Sequence, residues 1–405
     1  MHRALPAGGL PDAGTGQEIL IVQATPAAIV ALGCMLCLGG ALSSGCATAP
    51  EPDPEPVEDV DEEGPDPAQL RDACIEDPND LASCQDWVSF GDRSDPEMAS
   101  RLEALCADAP EAWVPRYAVG WLLQNLRKWD AAEREYASAA ELALAAGDEL
   151  GQGTALYALA ILARRNSDAR QISMRLERAL EPARASGDAV LLSRVLRELS
   201  ERYHDDGRYS DELALLDSLV EIAEQGAGVL PLCDAVYRRG ECRRRLGRRR
   251  EARADYERAA LVARETEDAY IESSATMVLG LIALETGDVR ALSKFEEARE
   301  IAAADGETEL VAHTDLLAGF ALLRRGEISA ARRRLSSGLS MTESTDLRFK
   351  NLVYLADAER RLGELDQSER RYEEILRLAD DIVRHKLIRL PEEEAARRGI
   401  TVEAA

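Results

Sequence analysis

Residues 235–264 read AVYRRGECRRRLGRRREARADYERAALVAR. Gly240 is followed by Gly247, then by Ala252, Tyr256 and Ala259. Two helices that pack closely need a small residue where their axes approach, so Gly240 is expected to face Ala252. Gly247 suits the left-handed residue that ends a first helix. Tyr256 and Ala259 lie three apart, share one face of the second helix and can cover the first. One such hairpin cannot bury its apolar stripe alone, whereas stacked copies can.

Moving this pattern along the chain in steps of about 40 tests it. The close-approach position reads Gly120, Ala160, Ser200, Gly240, Gly280, Gly319 and Ala356. The turn position reads Arg127, Ser167, Gly207, Gly247, Gly287, Gly326 and Gly363. The large residue of the second helix reads Tyr136, Leu176, Leu216, Tyr256, Phe295, Leu335 and Tyr372. Between copies stand Gly147-Asp148, Gly187-Asp188, Gly226 and Gly306-Glu307. A glycine that ends one helix, followed by an acid that caps the next, is a compact stop-and-start signal.

This grammar resembles the tetratricopeptide repeat in its longer form of about 40 residues, over 67–381. Ala160 and Ser200 depart from the close-approach glycine, and only Pro110 matches the proline expected between repeats. The resemblance implies an all-α, right-handed α-solenoid of stacked antiparallel helix pairs. It would hold about seven repeats (111–381) behind a degenerate capping repeat (67–110). A cap helix and loose tail (382–405) would follow.

Composition agrees. Ala, Leu, Glu and Arg dominate and aromatics make up 4 % of the chain. The formal net charge is −26, which argues against a general nucleic-acid binder. Residues 27–42 form an apolar run, AAIVALGCMLCLGGAL, too short for a membrane span of about 20 residues. It is followed by Ser43-Ser44-Gly45-Cys46, so 1–45 reads as a secretory signal. The cysteine after three small residues resembles a bacterial lipoprotein signal. That resemblance implies lipidation of Cys46 and, with Ala47 behind it, sorting to the outer membrane. An uncleaved anchor or a cleaved soluble protein are the alternatives. Residues 51–66, EPDPEPVEDVDEEGPD, hold nine acids and no base. Segment 46–66 is therefore expected to be an extended tether.

Cys74, Cys84 and Cys106 cluster in the capping repeat. A Cys74–Cys84 or a Cys84–Cys106 bond could staple it in an exported protein, or all three could be buried thiols. Their spacing does not suit zinc. Cys233 and Cys242 are expected to pack. His204, just before Gly207, reads as a helix-end cation rather than a metal ligand.

The family resemblance implies that first helices line a concave binding face. Carried over, the positions give Tyr117, Trp121, Tyr157, Ile161, Arg164, Arg197, Tyr237, Arg244, Arg245 and Phe320 as the candidate face for a partner polypeptide. Several of these could instead only pack between repeats. Residues 238–253 hold nine arginines in 16 positions. They could dock an acidic partner, including the chain's own tether, or form a solvated helix face with i,i+4 pairs to acids such as Glu251 and Asp255. No H-E-x-x-H, G-x-S-x-G or phosphate-binding loop occurs. The sequence therefore predicts a non-enzymatic scaffold of the cell envelope, facing the periplasm, with no cofactor, no metal and no nucleic-acid partner. A peptide- or ligand-responsive regulator is the alternative.

Overall fold

The computed structural model describes residues 67–77, 84, 88, 96–166 and 169–388. The apolar run, Cys46, the acidic tether and residues 389–405 lie outside the described residues, as does Ser167. What is described is all-α, without a strand among the described residues. Two short helices lead, α1 (Pro67–Glu76) and α2 (Pro96–Asp108). Helix pairs follow: α3 (Trp113–Asn125) with α4 (Trp129–Ala146), and α5 (Glu149–Ala163) with α6 (Ala169–Ala185). Next come α7 (Ala189–Asp205) with α8 (Tyr209–Glu224), then α9 (Leu232–Arg245) with α10 (Arg249–Glu265), then α11 (Ala269–Glu285) with α12 (Ala291–Asp305). Helices α13 (Thr308–Arg325), α14 (Ile328–Met341), α15 (Thr345–Arg361) and α16 (Leu365–Ile388) complete the series.

The chain divides into two compact units at Ala321–Leu322, within α13. In the first unit each helix from α2 to α12 packs on the next. The first helices of successive pairs also touch, α3 with α5, α5 with α7, and α9 with α11. Between α7 and α9 the link is the Arg238–Glu201 ion pair (3.1 Å), so the first helices α3, α5, α7, α9 and α11 form a layer. In the second unit α14 packs on α15 and α15 on α16. This is a helix-pair solenoid, the fold that the repeat grammar implies.

The turns explain the punctuation. Gly207, Gly247 and Gly287 take φ of 70–73°, where a β-carbon is disfavoured. Arg127 occupies the same turn position and takes φ 59°; Glu267 does so between copies at φ 60°. The Gly-Asp signals act as read: Asp148 caps α5 by accepting from the Gly151 amide (2.8 Å), and Asp188 caps α7 from the Leu191 amide (2.6 Å). Asp268 does the same for α11 behind Glu267 (2.9 Å).

Close approach is present, with a shifted partner. A β-carbon on Gly240 would lie 3.1 Å from Cβ of Asp255 and 3.3 Å from Cε1 of Tyr256. The glycine thus seats the Tyr256 ring, one turn beyond the expected Ala252. The same seat recurs where Gly120 meets Tyr136 (2.8 Å) and Gly280 meets Phe295 (2.8 Å). Tyr136, Leu176, Leu216, Tyr256, Phe295 and Leu335 are all buried. Tyr372, near the end of the series, is only half-buried.

Cys74 and Cys84 form a disulfide with Cα atoms 4.8 Å apart. Of the alternatives that the sequence left open, this is the first. Cys106 stays a free, buried thiol beside them, pushed up to about 11 by burial.

Candidate functional site

The candidate residues sit on the layer of first helices in the first unit: Tyr117 and Trp121 on α3, Tyr157 and Ile161 on α5, Arg197 on α7, Tyr237, Arg244 and Arg245 on α9, and Phe320 on α13. All of these are half-buried. Arg164, just past α5, is exposed. Tyr117 packs its ring 5.2 Å from Tyr136, and Tyr237 lies 5.4 Å from Tyr256. These tyrosines therefore pack on the second helix of their own pair while keeping part of each ring at the surface. Beside them the Arg165 guanidinium stacks over Trp129 at 4.7 Å. The equivalent positions in later copies, Met277 and Leu316, are buried packing residues. The half-open tyrosines are thus a property of α3, α5 and α9, and Phe320 on α13 is a half-buried ring beyond them.

The arginines on this layer are engaged. Glu198, buried on α7, pairs with Arg197 (3.1 Å) and Arg164 (3.5 Å). Glu201 accepts from Arg238 (3.1 Å), which also binds Asp234 (3.0 Å). Glu241 accepts from Arg244 (2.7 Å), Arg245 (2.9 Å) and the Tyr256 hydroxyl (2.8 Å). Burial alone would raise the Glu241 carboxyl, but those donors outweigh it and hold it below the usual carboxylate range. On the opposite side of α9, Asp255 is only 3 % exposed and receives Arg239 (2.8 Å) and Arg243 (2.7 Å). Asp217 of α8 lies against the same two arginines.

This changes both readings of the arginine run. The α9 half is not a free docking patch, and the i,i+4 reading holds only in part. Arg238–Asp234 and Arg245–Glu241 are i,i+4 pairs and Arg244–Glu241 is an i,i+3 pair, while Glu201 of α7, Asp217 of α8 and Asp255 of α10 make the remainder an interhelical network. Arg244 and Arg245 stay on the candidate face, but both are tied to the one carboxylate of Glu241. An incoming acid would have to compete with Glu241 there, so the part-exposed rings are the main contact surface of this layer.

Only the α10 half differs. Arg249, Arg250 and Arg253 line a pocket of about 410 Å³ together with Arg290 and Lys294. The sequence reading did not bring Arg290 and Lys294 to it. A signal was present: Arg250 and Arg290 each lie three residues after their turn glycine, Gly247 and Gly287.

His204 contacts Glu212 through Nδ1 (3.1 Å). That bond from Glu212 raises the imidazole above its ordinary value. Cys233 and Cys242 are buried free thiols, and burial pushes Cys242 up to about 12. Among the described residues no group of three or more His, Cys, Asp or Glu could hold a metal ion. Among them, too, no helix is long and apolar enough to cross a membrane.

No protein-family model and no curated protein matches the chain. Solved structures do. The signal-transduction ATPase with numerous domains from Pyrococcus horikoshii, which carries a tetratricopeptide repeat sensor, matches with a TM-score of 0.53 at 12 % identity. The match covers 76 % of this chain and 51 % of that one, so the chain spans about half the length of that protein. Apo RapI matches with a TM-score of 0.47 at 16 % identity, over 67 % of this chain and 99 % of that chain. The apo quorum sensor NprR from B. thuringiensis matches at 0.46 and 15 %, over 74 % and 86 % of the two chains. The fold is thus a tetratricopeptide-type helical repeat.

Proposed function

We propose that the chain is a non-enzymatic binding protein that holds a partner polypeptide against the first-helix layer of α3, α5, α7 and α9. The observation that carries this reading is the row of half-buried rings there, Tyr117, Trp121, Tyr157 and Tyr237. At the position of the three tyrosines the following copies carry Met277 and Leu316, which are closed into the core, whereas at the position of Trp121 Phe320 stays half-buried. Aromatic residues fixed by packing on one side and open on the other are typical anchors for a bound segment. Because the neighbouring arginines already hold carboxylate partners, with Arg164 and Arg197 sharing Glu198 and Arg244 and Arg245 sharing Glu241, the anchored segment is expected to be held mainly through apolar or aromatic side chains.

We further read the protein as an envelope scaffold, exported and anchored through Cys46. The apolar run before Cys46 and the acidic segment after it support this, and so does the Cys74–Cys84 disulfide, since such bonds persist in oxidising compartments. A peptide- or ligand-responsive regulator is the second reading. It is favoured by the repeat sensor of the Pyrococcus horikoshii protein, whose fold this chain shares.

A photo-crosslinking amino acid placed at Trp121 or Tyr157 should capture one and the same partner in cells. Placed at Leu261, exposed on second helix α10, it should not. Equal capture from all three positions would remove the assignment of the face. The mass of the mature N-terminal peptide decides the anchor: a diacylglyceryl group on Cys46 is expected, and an unmodified Cys46 would discard it.

A further inference from the structure

We propose that the recess between α10, α11 and α12 is a binding site for a small organic phosphate, separate from the first-helix layer. Its walls carry five cations: Arg249, Arg250 and Arg253 from α10, Arg290 from the turn before α12, and Lys294 from α12. Two acids, Glu257 and Asp288, stand among them. The floor is the C-terminal half of α11, where Leu279, Ile282 and Ala283 give it an apolar character. Its volume of about 410 Å³ is within the range of small-molecule sites.

The state of the charges separates this recess from the network on α9. There the arginines close on carboxylates that are mostly buried or half-buried, Asp255 and Glu241 above all. Here among the described residues Arg250 makes no ion pair, and Arg249 reaches only Glu285, at 3.9 Å. Arg253 pairs with Glu257 (2.8 Å), Arg290 with Asp288 (2.7 Å) and Lys294 with Glu297 (2.6 Å), all six side chains lying open to solvent to some degree. Pairs of this kind are worth at most about 1 kcal/mol, so a ligand can exchange for them cheaply. The rest of the molecule repels anions, with a formal net charge of −26 for the chain. Cations gathered in one recess against that background provide a local attraction.

Guanidinium groups match phosphate oxygens two at a time, and a dianion can engage Arg249 and Arg250 together. The apolar floor selects for a ligand with an apolar body attached to the phosphate. Two walls over an apolar floor suit a small molecule better than an extended acidic chain, including the acidic segment 51–66.

The test uses the full chain and calorimetric titration at constant ionic strength. Phenyl phosphate is the probe, inorganic phosphate the probe without an apolar body, and a hexaglutamate peptide the acidic-chain competitor. Phenyl phosphate should bind more tightly than either. Arg250→Gln should weaken it roughly 10-fold, and Arg249→Gln should act in the same direction. Arg258→Gln removes one charge from α10 on the side that pairs with Glu224 (2.8 Å), and should leave the affinity unchanged. Because Arg250 holds no ion pair among the described residues, its replacement tests binding without removing a structural contact, and circular dichroism checks that the helices remain. No heat from phenyl phosphate in the millimolar range, an equal loss with Arg258→Gln, or tighter binding of hexaglutamate would each overturn the site. None of these results bears on crosslinking at Trp121 or Tyr157, so the two assignments stand or fall apart.

Discussion

His204 shows how a single residue ties two helices of one pair together. It sits on the last turn of α7 and reaches the buried Glu212 on the first turn of α8. Glu241 adds to the attraction, Arg245 opposes it, and the Tyr209 ring packs edge-on at 5.5 Å. Because the folded state holds the imidazolium, its pKa is raised. The stabilisation is complete below the ordinary histidine value near 6.5 and is lost as pH rises through the raised value. His204→Gln should therefore cost about 1.5–3 kcal/mol at pH 5.5, the worth of a hydrogen bond to a charged group. The gap should narrow by pH 9. Urea unfolding at the two pH values measures it, and a gap that widens with pH would reverse the assignment. The sequence did place His204 at a helix end. It could not place Glu212, because the acid lies across the turn and its burial depends on the neighbouring pair.

At the scale of helices, the glycine seats decide how closely each pair packs. Alanine is the better helix former by about 1 kcal/mol. At Gly280 that gain meets the fully buried Phe295 ring only 2.8 Å from the new β-carbon. Overpacking of this kind costs about 1–3 kcal/mol, so Gly280→Ala should destabilise by about 1–2 kcal/mol. At Gly240 the nearest atoms stand at 3.1–3.3 Å, and Gly240→Ala should be neutral within about 0.5 kcal/mol. Chemical denaturation of the two variants ranks them; equal losses would mean that the seats are looser than they look. These elements were legible because turn glycines, caps and large second-helix residues recur at one spacing, and even Arg127 showed its left-handed role by register alone. The interhelical part of the arginine network was not legible. Its acids come from three other helices, and Asp217 and Glu201 stand 22 and 37 residues before their partners Arg239 and Arg238. Local i,i+4 reading cannot find such pairs.

At the scale of the molecule, stability is a sum of local terms, because each pair leans chiefly on its neighbours. The Cys74–Cys84 bridge should then matter only at its own end. A closed loop of that length contributes about 3 kcal/mol. Reduction should let α1 and α2 open and raise the alkylation rate of the buried Cys106 roughly 100-fold. Cys233 and Cys242, on α9, should stay protected. Mass spectrometry after timed labelling reads all three thiols; simultaneous labelling would show that the whole chain unfolds as one. The architecture was visible in the repeat, since it follows from periodicity. The basic recess was not, since it depends on how α10, α11 and α12 meet and on which arginines other helices have already claimed.

The succession of neighbour-only contacts also bears on how the polypeptide is made. Proteins rich in short-range contacts fold fast, because little loop entropy is lost before the first favourable contacts form. A growing chain of this design need wait for only one further module, some 40 residues, before the preceding one can settle. Among the described helices the contacts run between neighbours, so ordering of these helices can keep pace with synthesis.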